Sequence, residues 1–202
     1  MSHEKEWWER VNPYLHGVVP PSLETIDDFV RAITSGDKGV INVALWEARQ
    51  NASTLKAVFE ALAIAPSPSL AVKQAFQSAW VTQGLRLREA FAIVPILPGL
   101  LANLLPGYDG PAVEIYRGER TSNYQLGAYG PSWSSKKSVA ECFARGLNKC
   151  PKTGGVVLRT VAQPSAILAD LTIASHRSDE AEYVVDRRGL ENVEAVEFYA
   201  PD

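Results

Sequence analysis

Apolar residues recur at helical intervals through the first half of the chain, and the second half carries short runs rich in β-branched and aromatic residues. The pattern therefore predicts helices up to about residue 106 and strands beyond it. Ile26, Phe29, Val30 and Ile33 form one stripe, with Pro20-Pro21-Ser22 as a stop and N-cap before it and Gly36 as an end after it. Leu55, Val58, Phe59 and Leu62 form a second, with Ser53 as a cap, and Val72, Ala75, Phe76, Ala79 and Trp80 a third. Ala65-Pro66-Ser67-Pro68-Ser69 separates these two. Between Arg86 and Leu105 the prolines at 95 and 98 split one helix into two short ones.

A cluster of turn residues from Leu105 to Pro111 marks the boundary, giving a helical region over 1–107 and a sheet domain over 108–202, or one compact unit made of both. Strands are predicted at Ala112 to Arg117, Val156 to Val161, Ala166 to Leu168, Tyr183 to Val185 and Val193 to Tyr199. One helix interrupts them, over about Lys137 to Leu147, where Val139, Cys142, Phe143 and Leu147 face one way. The expected class is α+β, with a helical region followed by a mostly antiparallel sheet holding one embedded helix.

Composition narrows the function without naming it. With 46% hydrophobic and 21% charged residues the chain is of ordinary globular make-up, so a packed core is expected. A net charge of −3 gives no broad footprint for nucleic acid, although Lys136, Lys137, Arg145, Lys149 and Lys152 form a local basic cluster. Cys142 and Cys150 have neither zinc-site nor CxxC spacing, and free thiols in a reducing cytosol are expected. The start, Met-Ser-His-Glu-Lys-Glu-Trp-Trp, lacks the apolar core of a Sec-type signal, and Phe91 to Leu105 is too short and too proline-broken to span a bilayer. A cytoplasmic protein without membrane contact follows as the expectation. His3 and His16 lie far from the other candidate groups, so no histidine triad assembles, and there is neither a P-loop nor a GxGxxG.

Three stretches carry candidate chemistry. Arg117 closes the run Ala112–Tyr116 and is followed by Gly118, where the backbone can approach a ligand; a planar guanidinium fork there suits a diphosphate. Its structural alternative is an ion pair with Glu114 or Glu119. Ser132-Trp133-Ser134 precedes the helix, and each hydroxyl can donate and accept at once. Here the alternative is a turn with Ser134 or Ser135 capping the helix. Glu180 and Glu182 flank Ala181, and strand alternation would place both carboxylates on one face. Like charges side by side repel, which favours a site over plain structure, the alternative being a solvated strand edge.

In the order arginine, serine, glutamate, these stretches resemble the Arg-Ser-Glu clade of mono-ADP-ribosyltransferases, which includes many bacterial and phage toxins. The resemblance covers about residues 112–199 and includes the Ser-Val-Ala-x-x-Phe-Ala helix pattern from Ser138 to Ala144. It departs at Trp133, where the clade has threonine. The resemblance implies an ADP-ribosyltransferase-like sheet domain that cleaves NAD+ to nicotinamide without a metal. ADP-ribose would pass to a macromolecular acceptor, either a protein side chain such as arginine or a nucleic acid. By the same resemblance Arg117 and Gly118 hold the diphosphate, Ser132 helps hold the catalytic glutamate and the nicotinamide ribose, and Trp133 and Ser134 complete the pocket. Glu182 stabilises the cation, Glu180 activates the acceptor, and His176, Arg177 and Ser178 lie in the acceptor-recognition loop. A toxin or effector of this kind has a neutralising antitoxin or immunity protein as a candidate partner. Two alternatives remain open at this point: an NAD+ glycohydrolase, and a non-catalytic interaction module on a degenerate transferase fold.

Overall fold

A computed structural model describes residues 22–91, 97–146, 150–172 and 178–201, and the chain divides into two compact units, 1–105 and 106–202. Among the described residues the protein is α+β, with seven α-helices and one six-stranded antiparallel sheet. No described helix is long and apolar enough to cross a membrane.

Among the described residues the first unit has five helices: α1 (Ile26–Ile33), α2 (Lys38–Ala48), α3 (Ala52–Ile64), α4 (Leu70–Phe91) and α5 (Leu97–Leu104). The starts of the first three are set by side chains that accept from otherwise unpaired amides. Thr25, not Ser22, caps α1, because Asp28 three residues on completes a reciprocal capping box with it. Asn51 caps α3 in place of the expected Ser53, accepting from the amides of Ser53 and Thr54. Helix α2 was not visible as a stripe, since Ile41, Val43, Ala44, Leu45 and Ala48 are all buried and leave no polar face to contrast with. Pro98 is the second residue of α5, where its missing N–H costs no helical bond; Pro95, the other expected break, lies outside the described residues. Asn103 donates to the carbonyls of Leu62 and Ala65, tying α5 to the open end of α3.

The second unit holds β1 (Val113–Arg120), α6 (Thr121–Gln125), β2 (Ser132–Ser134), α7 (Lys137–Arg145), β3 (Gly155–Ala162), β4 (Ile167–Asp170), β5 (Glu182–Val185) and β6 (Glu194–Tyr199). The strand order is β4-β5-β2-β1-β3-β6. β1 and β3 form the longest ladder, eight residue pairs from Val113↔Ala162 to Arg120↔Gly155. One face carries an apolar cluster of Ile115, Trp133, Val156, Leu158, Ile167 and Val185. Against the other lies α7, burying Ala140 and Ala144 on Val157, with Tyr116 and Tyr199 beside them. Edge strand β6 bulges against β3 between Val157 and Leu158, and its Val196 and Phe198 are exposed.

Helix α7 sits so close to the sheet that two sheet positions have no room for a side chain. A Cβ on Gly118 would meet the Ala140 carbonyl oxygen at 2.2 Å and the Ala144 nitrogen at 2.4 Å, and one on Gly155 the Ala144 oxygen at 2.0 Å. Gly118 therefore serves helix packing, where the sequence had suggested close approach to a ligand.

Candidate functional site

The sheet brings the three stretches together, because β5, β2 and β1 are neighbours although they lie far apart in sequence. Ser134 stands between Tyr116 of β1 and Glu182 of β5, paired with each. Residues opposed across antiparallel strands share a face. Tyr116, Ser134 and Glu182 therefore form a row on the face that α7 packs against at Tyr116, and Arg117, Trp133 and Tyr183 take the opposite one. Ser132 pairs with Val184, so the serine directly across from Glu182 is Ser134. The Ser132 hydroxyl is buried and makes no hydrogen bond among the described residues.

Trp133, which the resemblance to the transferase clade puts in the cofactor pocket, belongs to the apolar core at 2% exposure. Its indole N–H donates to the Gly130 carbonyl at 3.2 Å and its ring meets Tyr129 edge-on. Alternation explains the outcome: with Ser132 and Ser134 on one face, the residue between them must enter the other.

Arg117 is held by its own chain. Nε and Nη2 reach the Glu119 carboxylate at 2.8 and 2.7 Å, and Nη1 donates to the Ser132 carbonyl at 2.6 Å. Strands β1 and β2 share a single register pair, Tyr116↔Ser134, and the guanidinium adds a side-chain tie between them at the Ser132 carbonyl. Of the two carboxylates offered by the sequence, Glu119 is the partner. Glu114 instead accepts from the Tyr116 hydroxyl, and that bond, followed by burial, raises the phenol's pKa. Glu119 is 3% exposed and also accepts from the Arg120 amide, the Asn123 side chain and the Gly130 amide. Burial pushes its carboxyl up, but the Arg117 charge and the N–H groups of Arg120, Arg117 and Asn123 outweigh burial and hold it below the ordinary value. Neither Glu119 nor Gly130 was singled out as a site residue from the sequence, although the spacing Arg117-x-Glu119 on one strand face carries the signal.

Glu180 is not part of the strand. It closes a 3₁₀ turn, Ser178–Glu180, and Ala181 adopts φ +43° before β5 begins at Glu182. The expected same-face alternation of the two glutamates is broken by that left-handed residue. The backbone of the turn is tied to the segment after β2. The Ser134 hydroxyl donates to the Glu180 carbonyl at 2.6 Å and accepts from the Lys136 amide at 2.9 Å. The Ser135 amide donates to the Ala181 carbonyl and the Lys136 ammonium to the Asp179 carbonyl, both at 3.1 Å. Ser134 is thus a turn clamp rather than a conventional helix N-cap, since Lys136 precedes α7 with no side-chain cap.

Of the acceptor-loop candidates, His176 and Arg177 lie outside the described residues, and Ser178 begins the 3₁₀ turn. Within the basic cluster Lys137 pairs with Glu141 and Glu197, and Arg145 with Glu197 and over the Tyr199 ring, while Lys149 lies outside the described residues. No group of three or more metal-ligating side chains occurs among the described residues. A cleft of about 280 Å³ opens elsewhere, lined by Glu114, Arg159, Thr160, Gln163 and Glu194 among others, and none of the Arg, Ser and Glu stations faces it. No protein-family model, curated protein or solved structure matches this chain.

Proposed function

We propose that the second unit is a mono-ADP-ribosyltransferase domain that cleaves NAD+ and passes ADP-ribose to a macromolecular acceptor, as an intracellularly acting toxin or effector. The observation that carries the reading is the adjacency of β1, β2 and β5, which brings Ser132, Ser134 and Glu182 to one face of neighbouring strands, with Arg117 on the opposite face of β1. In the reaction the bond between C1′ of the nicotinamide ribose and the nicotinamide nitrogen breaks, and its electron pair leaves with nicotinamide. The Glu182 carboxylate stabilises the cationic sugar that forms, as carboxylates do in glycoside hydrolysis. The buried Ser132 hydroxyl is available to a ligand hydroxyl or amide. Purified protein incubated with NAD+ is expected to release nicotinamide, and Glu182→Gln to lower that rate by about 10²-fold or more, in line with loss of one electrostatic stabiliser. Full turnover by a Glu182→Gln variant with unchanged circular dichroism removes the assignment.

One observation favours a second reading, a non-catalytic interaction module on the same fold. Arg117 already uses three of its five N–H groups on Glu119 and Ser132, leaving at most two for a diphosphate. Calorimetry that detects no NAD+ binding to the wild-type protein would select this reading over the first.

A further inference from the structure

Four successive carbonyls lead into the candidate glutamates, and each has its own donor. Asp179 is bonded by the Lys136 ammonium, Glu180 by the Ser134 hydroxyl, Ala181 by the Ser135 amide and Glu182 by the Leu171 amide. Three of the donors come from the consecutive residues 134–136. Ser135 and Leu171 act through backbone amides, and Ser134 is 5% exposed and bonded on both sides. Lys136 alone reaches its carbonyl through a long exposed side chain.

The two glutamates depend on this clamp unequally. Glu182 lies in β5, fixed by three register pairs with β2 and by Leu171. Glu180 lies beyond Ala181, whose φ of +43° turns the chain out of the strand, so its direction is set by the turn and not by the sheet. A change at Asp179 is therefore felt at Glu180 before it is felt at Glu182.

We propose that Lys136 is a positioning residue which, through the Asp179 carbonyl, fixes the turn carrying Glu180 and so sets how the ADP-ribosyl cation is divided between acceptor and water. This rests on the NAD+ reading above. In the acceptor branch the nucleophile's lone pair forms the new bond to C1′ and its proton passes to the Glu180 carboxylate; in the water branch a water oxygen forms that bond, its surplus proton is released to solvent, and free ADP-ribose results. Loosening the turn removes the base from the first branch and leaves the cleavage at Glu182 in place.

The test compares wild type, Lys136→Met and Lys136→Arg in two measurements. Amide hydrogen exchange is independent of any activity: Lys136→Met is expected to speed exchange of residues 179–181 at least fivefold, with 183–185 unchanged and Lys136→Arg close to wild type. Unchanged exchange in Lys136→Met overturns the clamp itself. The second measurement uses NAD+ labelled in the ADP-ribose, with agmatine and cell-lysate macromolecules as acceptors, and reads bound label per nicotinamide released. Lys136→Met is expected to lower that ratio at least fivefold while nicotinamide release without acceptor stays within twofold, and Lys136→Arg to restore the ratio. An unchanged ratio, an equal fall in both quantities, or a wild type that labels no acceptor overturns the partition role. Absence of nicotinamide release from wild type refutes the NAD+ reading separately, because the exchange result stands without it.

Discussion

Replacing Glu119 should cost more than replacing any surface carboxylate, because it is buried and carries most of the polar contacts of this network. Its side chain is 4% exposed and that of Arg117 is 10% exposed, so the pair is shielded from water. Five N–H groups converge on it: Nε and Nη2 of Arg117, the amides of Arg120 and Gly130, and the Asn123 side chain. Glu119→Gln removes the charge and one of the two acceptor oxygens and turns an NH2 group toward donors, leaving the buried guanidinium without its counter-charge. Breaking a buried pair in this way costs about 3–5 kcal/mol. Urea unfolding followed by far-ultraviolet circular dichroism should report a loss of about 3 kcal/mol or more. A double-mutant cycle with Arg117→Met should recover a large part of it, because the second change removes the stranded charge. The pH dependence has a fixed sign. The folded carboxyl lies below its ordinary value, so its contribution is complete above the unfolded pKa, near 4.5, and is lost as pH falls through the lower folded value. The wild-type curve should thus fall more steeply in acid than that of Glu119→Gln. A single-variant cost under about 1 kcal/mol, or strict additivity with Arg117→Met, would refute the account of the buried network.

Two further substitutions probe how the site is framed. Gly118→Ala puts a methyl into backbone atoms of α7 and should destabilise by about 1–3 kcal/mol, measured in the same urea experiment, even though alanine ordinarily suits a strand better than glycine; a neutral result would mean that α7 can move away at little cost. Ala181→Gly should be close to neutral, with relief of the left-handed strain offset by a freer unfolded chain. Ala181→Val should cost about 1–3 kcal/mol, since a β-branched residue tolerates φ +43° poorly. Thermal melts of the two variants that coincide would show that the turn does not impose that φ.

The sequence made the strands flanking the site legible because Val156–Val161 and Val193–Tyr199 are dense in β-branched and aromatic residues. It also exposed the helix beginning at Lys137, but not its face: Ala140 and Ala144 are the residues buried, whereas Cys142 of the expected stripe is exposed and Leu147 lies outside the described residues. β2 was harder to see as a strand, having three residues and so almost no alternation; its neighbours β1 and β5 define it. α6 was missed because Thr121–Gln125 offers no apolar stripe. At the site, residue types named the stations but not their faces, since a register shift of one residue exchanges Ser134 for Trp133. Nor does an alanine announce a positive φ, so the break between Glu180 and Glu182 was invisible until the turn was in view.

The eight-pair ladder between β1 and β3 also has a kinetic consequence. It joins segments 113–120 and 155–162 around α7, whereas β2 and β5 must close a longer stretch of chain for only three pairs. Closing a longer loop for a smaller gain belongs late on the route to the native state. The glutamate strand is thus expected to dock onto an already folded centre. Stopped-flow folding should place the effect of Leu158→Ala mainly on the folding rate and that of Val184→Ala mainly on the unfolding rate. The reverse assignment would mean that the candidate site forms first and organises the rest.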